Sequence, residues 1–340
     1  MHRQRHSNPP VRSRRPSGSG PVGWPDVRPR WVCAGRGCRT LAGDQALPGR
    51  RIVRTRRLTG GFRNENLLLV TDNGHRYVLR RYRHGDRHAV EAALVRRLTG
   101  VAPVPEVIAL DSGAATGEPL LLSRFCPGTM VADLLPGLPD GQAAGLGRAV
   151  GAVLAGIGAV TFAGSGFFDG ADLVPVPGPA LTADLPAFVE HCLATGAADV
   201  LTPAECQALS GLASRSAPLL AAVAGSAQLV HADYNTKNLL AELRDGRWVV
   251  TAVLDWEFAF SGDPLVDIGN LLRFDDELPV AFQTGVVDGF TEAGGKLLTN
   301  WRPISKALDL FSLSDLLTRP VDHPYFHRVV AACRRRIAAG

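Results

Sequence analysis

Residues 229–255 read LVHADYNTKNLLAELRDGRWVVTAVLD. A short apolar run, Leu229 and Val230, delivers the chain into a polar loop in which a carboxylate, Asp233, and an amide, Asn238, stand five residues apart. A turn at Arg244 to Gly246 reverses the chain, and the apolar run that follows ends on a second acid, Asp255. Phosphoryl transfer from a metal nucleotide asks a protein mainly for positioning and hard oxygen ligands, because the cation neutralises the phosphate oxygens. In that chemistry Asp233 receives or orients the proton of an attacking hydroxyl. Asn238 offers the metal a neutral amide oxygen, Asp255 offers a charged one, and His231 braces the loop.

The loop His231-Ala232-Asp233 with Asn238, followed by Asp255-Trp256-Glu257, resembles the catalytic loop and metal motif of the aminoglycoside phosphotransferase and choline kinase-like superfamily. The metal motif continues as LDWEFAFSGDPLVDIGNLL, in which Asp267 is placed like that family's loop-bracing aspartate. The resemblance runs from roughly residue 50 to 320. It implies a bilobal, protein-kinase-like α+β fold with a small antiparallel β-sheet N-lobe carrying one helix and a mainly helical C-lobe. On that basis residues 48–125 form the nucleotide-binding lobe and residues 126–340 the catalytic and substrate-binding lobe.

The first half of the chain supplies matching parts. LTGGFRNENLLLV, a turn at Asp72 to Gly74, and RYVLRRY read as strand, glycine loop, strand, turn and strand. Gly60 and Gly61 let the backbone approach phosphates closely. With Asn64 and Asn66 behind them they look like the family's Gly-Gly-x-x-Asn nucleotide loop. Kinases place a cation on the third strand, paired with a glutamate on the next helix. Here the cation is Arg80 and the glutamate is Glu91, at the start of EAALVRRL. Arginine departs from the protein-kinase lysine, yet its planar guanidinium can still bind phosphate or carboxylate. That departure leaves two other readings open: a catalytically inactive nucleotide-binding scaffold, and a solvated face of Arg80, Arg81 and Arg83. LLLSRF, before CPG, resembles the strand between kinase lobes and puts Leu122, Ser123 and Phe125 near the nucleotide.

The reaction implied is transfer of the γ-phosphate of ATP, with Mg²⁺, to the hydroxyl of a small-molecule acceptor. Charge is unevenly distributed: residues 1–47 carry +7, residues 48–125 +7 and residues 126–340 −9, within a net +5. A basic nucleotide lobe facing an acidic lobe suits a cationic acceptor, an aminoglycoside-like antibiotic first, with choline, an amino alcohol or a sugar as alternatives. The acids available to it include Glu257, Asp263, Asp275, Asp276 and Glu277, although an acidic surface also serves solubility. The dozen residues from Asp255 to Asp267 are too few to resemble a protein kinase's activation loop. An antibiotic-resistance role rests on the family name alone.

Residues 1–47, rich in Arg, Pro, Ser and Gly without an apolar signal core, are expected to be a disordered tail. The tail lacks interleaved aromatics, so no nucleic-acid partner is expected. No apolar run reaches the roughly eighteen residues needed to span a bilayer, so a cytoplasmic protein without membrane partners is expected. The six scattered cysteines give neither a disulfide framework nor a zinc site; Cys33 and Cys38 lack companion ligands, and the other four read as small packing residues. Helical periodicity predicts helices over residues 140–160, 180–196, 202–224, 279–294 and 304–317. His191 reads as a partly exposed helix residue and Trp301 as core or hinge packing.

Overall fold

The computed structural model describes residues 46–58, 64–83, 87–114, 117–176 and 184–339. Nearly all of the expected tail, with Cys33 and Cys38, and the glycine loop with Gly60 and Gly61 lie outside the described residues.

Strands β1 (Ile52–Leu58), β2 (Asn64–Thr71) and β3 (Arg76–Tyr82), helix α1 (His88–Leu98), and strands β4 (Val107–Asp111) and β5 (Leu120–Arg124) come first. The strands form an antiparallel sheet in the order β1-β2-β3-β5-β4. Side chains alternate across it. Leu67, Leu69, Tyr77, Leu79, Leu120 and Leu122 build one small core. Tyr82 and Leu121 pack with Ala92 of α1 on the other face. Arg80 lies opposite Leu121 in the register, so the period of two sends its side chain towards α1, where Glu91 waits.

The remainder runs β6 (Thr129–Met130), α2 (Val131–Leu134), α3 (Asp140–Gly158), β7 (Gly166–Asp169), β8 (Val174–Val176), α4 (Leu185–Ala194) and α5 (Pro203–Ser216). After a 3₁₀ turn at Ala217–Val223 come β9 (Gln228–Val230), β10 (Leu239–Arg244), β11 (Arg247–Val253), β12 (Phe260–Gly262), α6 (Leu265–Leu271), α7 (Val280–Glu292), α8 (Trp301–Leu317) and α9 (Phe326–Ala339). Thr202 caps α5 by a reciprocal box: its hydroxyl accepts from Glu205 N at 3.2 Å and its N–H donates to Glu205 Oε2 at 2.8 Å. The β10–β11 hairpin turns on Asp245 and Gly246, both at positive φ (49° and 76°), the combination whose twist matches paired strands. Strand β12 lies between β7 and β9, with Phe260 opposite Val230 and Ser261 opposite Leu229. The entry to the polar loop and the exit from the Asp255 segment are thereby held side by side.

The five predicted helices all form, the second seen from Leu185 because residues 180–183 lie outside the described residues; residues 217–223 close as a 3₁₀ turn where continued helix was expected. His191 is exposed, and Trp301 opens α8 packed against the core. Cys192 and Cys333 are buried and Cys126 and Cys206 half-buried, all four as free thiols. The β7–β8 hairpin and helix α9 are among the elements that were not foreseen. The β7–β8 hairpin is short and leaves Phe167, Val174 and Val176 exposed, so it shows no alternation to read. Helix α9 buries Phe326, Val329, Val330, Ala332 and Cys333, a stripe masked in the sequence by a dense arginine run.

Helices α3 and α7 touch backbone to backbone through Gly147 and Gly151 on one and Gly285 and Gly289 on the other. A Cβ on Gly151 would stand 2.7 Å from Phe290 N and nearer still to the Val286 carbonyl oxygen. Alanine in place of glycine gains about 1 kcal/mol of helix propensity, but overpacking costs about 1–3 kcal/mol. The crowding atoms belong to a helix that can retreat only as a unit, so the clash should prevail. Gly151→Ala is therefore expected to lower the urea midpoint; an unchanged or raised midpoint would show slack between these helices.

Candidate active site

The loop after β9 is held from beneath by α6. Asp267, fully buried, accepts the N–H of His231 on Oδ2 and the N–H of Ala232 on Oδ1, each at 2.8 Å. Burial pushes its carboxyl up to about 7, against the two amide donors. Asn270, one helical turn on, donates from Nδ2 to the Ala232 carbonyl at 3.0 Å. Both backbone polar groups of Ala232 are thus clamped, and this alanine sits at φ +66°, in the left-handed region. That conformation costs an alanine about 1–2 kcal/mol, whereas glycine at the same place loses about 0.5–1 kcal/mol through its extra unfolded-state freedom. Ala232→Gly is therefore expected to raise the urea midpoint slightly; a lower midpoint would mean that the methyl group contributes packing that outweighs the strain.

His231 has no solvent exposure, and burial pushes its imidazole down to about 4. Its Nδ1 accepts from Asp233 N at 3.1 Å, which leaves Nε2 to carry the proton donated to the Leu254 carbonyl at 2.9 Å. Its ring also packs on Trp256 at 4.5 Å between centroids. A neutral histidine thus ties the polar loop to the strand end that bears Asp255. Tyr234 ties the same loop to α3 through the Val150 carbonyl at 2.8 Å.

The Asp233 carboxylate accepts from Asn235 Nδ2 at 2.8 Å and from Asn238 Nδ2 at 2.7 Å. Burial and the neighbouring Asp255 push it up to about 6, while the amide donors and Arg273 oppose them. Because the Asn238 nitrogen is committed to Asp233, its carbonyl oxygen is the atom left for a cation. The Asn238 backbone oxygen accepts from Leu254 N at 2.8 Å, holding it beside Asp255.

On the facing side of the cleft an arginine stands among acids. Arg80 Nη2 lies 2.6 Å from Asp255 Oδ1 and 3.7 Å from Glu257 Oε2, and Nη1 lies 3.4 Å from Glu91 Oε1. The other Glu91 oxygen accepts the Tyr82 hydroxyl. Burial works against the Arg80 charge, but Glu91 and Asp255 outweigh it and keep the guanidinium protonated. Burial raises the Glu91 carboxyl, with Arg80 opposing. Asn64 Nδ2 donates to Glu257 Oε2 at 2.9 Å, joining β2 to the segment after Asp255.

The structure gathers His231, Asp233, Asn238, Asp255 and Asp267 around one loop and brings Arg80, Glu91 and Asn64 against it. Ser123 is buried in β5, just before the segment that crosses between lobes. Gly60 and Gly61 fall outside the described residues. The acids considered for an acceptor are distributed differently. Glu257 is buried in the interlobe contact, and Asp263 accepts from Ser226 Oγ at 2.6 Å and Leu265 N at 2.9 Å. Asp276 pairs with Arg335 and Glu277 with Arg328, both on the unforeseen α9. The carboxylate of Asp275 makes no ion pair or hydrogen bond among the described residues.

Tyr82, Arg87, Tyr234, Asn235 and Asn270 are supporting residues that escaped the sequence reading. Tyr82 holds Glu91. Arg87 donates to the carbonyls of Phe168 at 3.0 Å, Glu257 at 3.1 Å and Ala259 at 3.3 Å, a long-range set without local signal. Asn270 did carry a signal, since three residues after Asp267 is the same helix face.

An acid in a braced loop, an amide and a carboxylate beside it, and a strand cation paired to a helix glutamate are the parts that kinase-like phosphoryl transfer asks for. The chain matches the model of the phosphotransferase enzyme family over residues 54–305 and belongs to that family. It is accordingly an ATP-dependent phosphotransferase with an alcohol group as acceptor. No curated protein is a significant match. Among solved structures, aminoglycoside phosphotransferase APH(4)-Ia is similar at 20% identity with a TM-score of 0.63, covering 85% of this chain and 95% of its own. An aminoglycoside 2'-phosphotransferase IIIa, solved with GDP, is similar at 17% identity and TM-score 0.66, covering 89% and 96%. The macrolide 2'-phosphotransferase MphH of Brachybacterium faecium is similar at 21% identity and TM-score 0.53, covering 86% and 93%. At these identities the likeness shows the bilobal fold.

Proposed function

We propose that this enzyme moves the γ-phosphate of ATP, with Mg²⁺, to a hydroxyl of a small cationic acceptor, with aminoglycoside-like antibiotics favoured. The observation that carries the reading is the single constellation of Asp233, Asn238, Asp255 and Arg80 where the two lobes meet. The donor set fits a metal nucleotide. Arg80 lies 3.4 Å from Glu91, 2.6 Å from Asp255 and 3.7 Å from Glu257, so carboxylate oxygens, the ligands a hard cation takes, gather at this point of the cleft. Two buried polar atoms of the same cleft, Arg80 Nε and Asn64 Oδ1, have no hydrogen-bond partner among the described residues. A phosphate oxygen suits the first and a donor suits the second.

Asn238 Oδ1 and the Asp255 carboxylate would hold the cation, and two protein ligands are too few for a hard cation unless phosphate and water supply the rest. When bound, Mg²⁺ neutralises charge on the phosphate oxygens. Asp233, oriented by Asn235 and Asn238, takes the proton of the acceptor hydroxyl. Arg80 is braced by Glu91, which Tyr82 holds in turn, and leaves its contact with Asp255 to meet phosphate.

The cationic acceptor is supported by the −9 net charge of residues 126–340 and by the solved complex of a thermostable mutant of APH(4)-Ia with ADP and hygromycin B. Its test is a panel of aminoglycosides, macrolides, choline, amino alcohols and neutral sugars, incubated with Mg-ATP and read by mass spectrometry for a phosphorylated product. Phosphorylated aminoglycoside is the expected result. Product only from a neutral sugar would overturn the cationic preference while leaving the phosphotransferase chemistry intact.

A further inference from the structure

The geometry points to Asn270 as a positioning residue for the catalytic loop, holding the left-handed Ala232 so that Asp233 faces the acceptor hydroxyl. The inference rests on the role proposed above for Asp233, but it concerns a residue outside the reacting set.

Asn270 is buried, with 5% exposure, and its Nδ2 donates to the Ala232 carbonyl at 3.0 Å. Its Oδ1 has no partner among the described residues, so the amide is oriented by this one contact. The acceptor is a carbonyl, so position 270 must supply a donor; a carboxylate of the same shape would meet that oxygen with another oxygen. The peptide that begins at the Ala232 carbonyl ends at the Asp233 N–H, which His231 Nδ1 takes up at 3.1 Å. Asp267 fixes the preceding peptide through the Ala232 N–H at 2.8 Å. Among the described residues, Asn270 is therefore the one side chain bonded to the carbonyl between a strained residue and the candidate base. Without it, alanine can relax towards the negative φ it prefers, carrying the Asp233 Cα away. Glycine at position 232 has no such preference and needs no clamp.

This contrast supplies a test that a merely structural role would not pass. Asn270→Ala is made in the wild type and in an Ala232→Gly background. Each protein is measured for kcat and KM for ATP with the best acceptor of the panel, and for amide hydrogen exchange over residues 229–234. In the wild-type background kcat should fall by about 10- to 100-fold, the scale of a base misplaced by about an ångström. KM for ATP should stay within about threefold, because Asn270 touches none of the residues assigned to nucleotide. Exchange over the loop should rise. In the Ala232→Gly background the loss from Asn270→Ala should shrink to about threefold or less, since the strain that the clamp resists is gone. An unchanged kcat, an equal loss in both backgrounds, or unaltered exchange would overturn the proposal, as would failure to fold in both backgrounds. A wild type without turnover on any acceptor would instead count against the acceptor reading, and the exchange data would still decide the role of Asn270.

Discussion

Asp233→Asn is expected to lower kcat by about 10³-fold, the middle of the range for a positioned general base, with the Kd for Mg-ATP changed by less than about threefold. The carboxylate accepts from Asn235 on one oxygen and from Asn238 on the other. An amide offers one acceptor oxygen and one donor nitrogen, so one of these contacts becomes donor against donor. The variant loses the base and also disturbs the amide that would hold the cation. A melting curve and a nucleotide titration separate these effects. Lost turnover with retained binding assigns Asp233 to the chemical step, whereas retained turnover would remove it from that role. Equal losses of binding and turnover would make it a scaffold of the metal site.

The second large effect is on stability. Asp309 on α8 has a side chain 1% exposed and receives Arg273 Nε at 2.9 Å and Nη2 at 2.7 Å on one oxygen, with Arg336 at 3.4 Å from the other. The Arg273 side chain is itself only 8% exposed. Asp309→Ala leaves a buried guanidinium without its anion, and breaking such a pair from one side costs about 3–5 kcal/mol. That is a large part of the roughly 5–15 kcal/mol by which domains are usually stable. Replacing Arg273 and Asp309 together by leucine should recover much of the loss, because the desolvation cost of the pair disappears with it. Urea denaturation of the single and double variants checks both statements. A single variant within about 1 kcal/mol of wild type would mean that water reaches Arg273 and solvates it.

What the sequence revealed follows from the range of the interactions. The polar loop, the Asp255 strand and the Asp267 brace lie within forty residues of each other, and their spacing is carried by strand and turn geometry. Arg80 and Glu91 were paired through the resemblance to kinases, which set a cation on the third strand against a glutamate on the next helix, and the two stand only 11 residues apart. Glu257 shows the limit. Its partner Asn64 stands 193 residues earlier, so an acid that looked free to meet an acceptor turned out to join the two lobes. The same holds for Asp276 and Glu277, whose arginine partners lie on a helix that charge had concealed. Arg87 reaches three backbone carbonyls that only the folded chain assembles.

The decisive measurement is ADP formation from ATP with the purified chain, with and without acceptor and with and without Mg²⁺. ADP should need both acceptor and Mg²⁺ and appear mole for mole with phosphorylated acceptor. ADP formed with either omitted, or tight Mg-ATP binding with no transfer to any hydroxyl across the acceptor panel, would contradict this expectation.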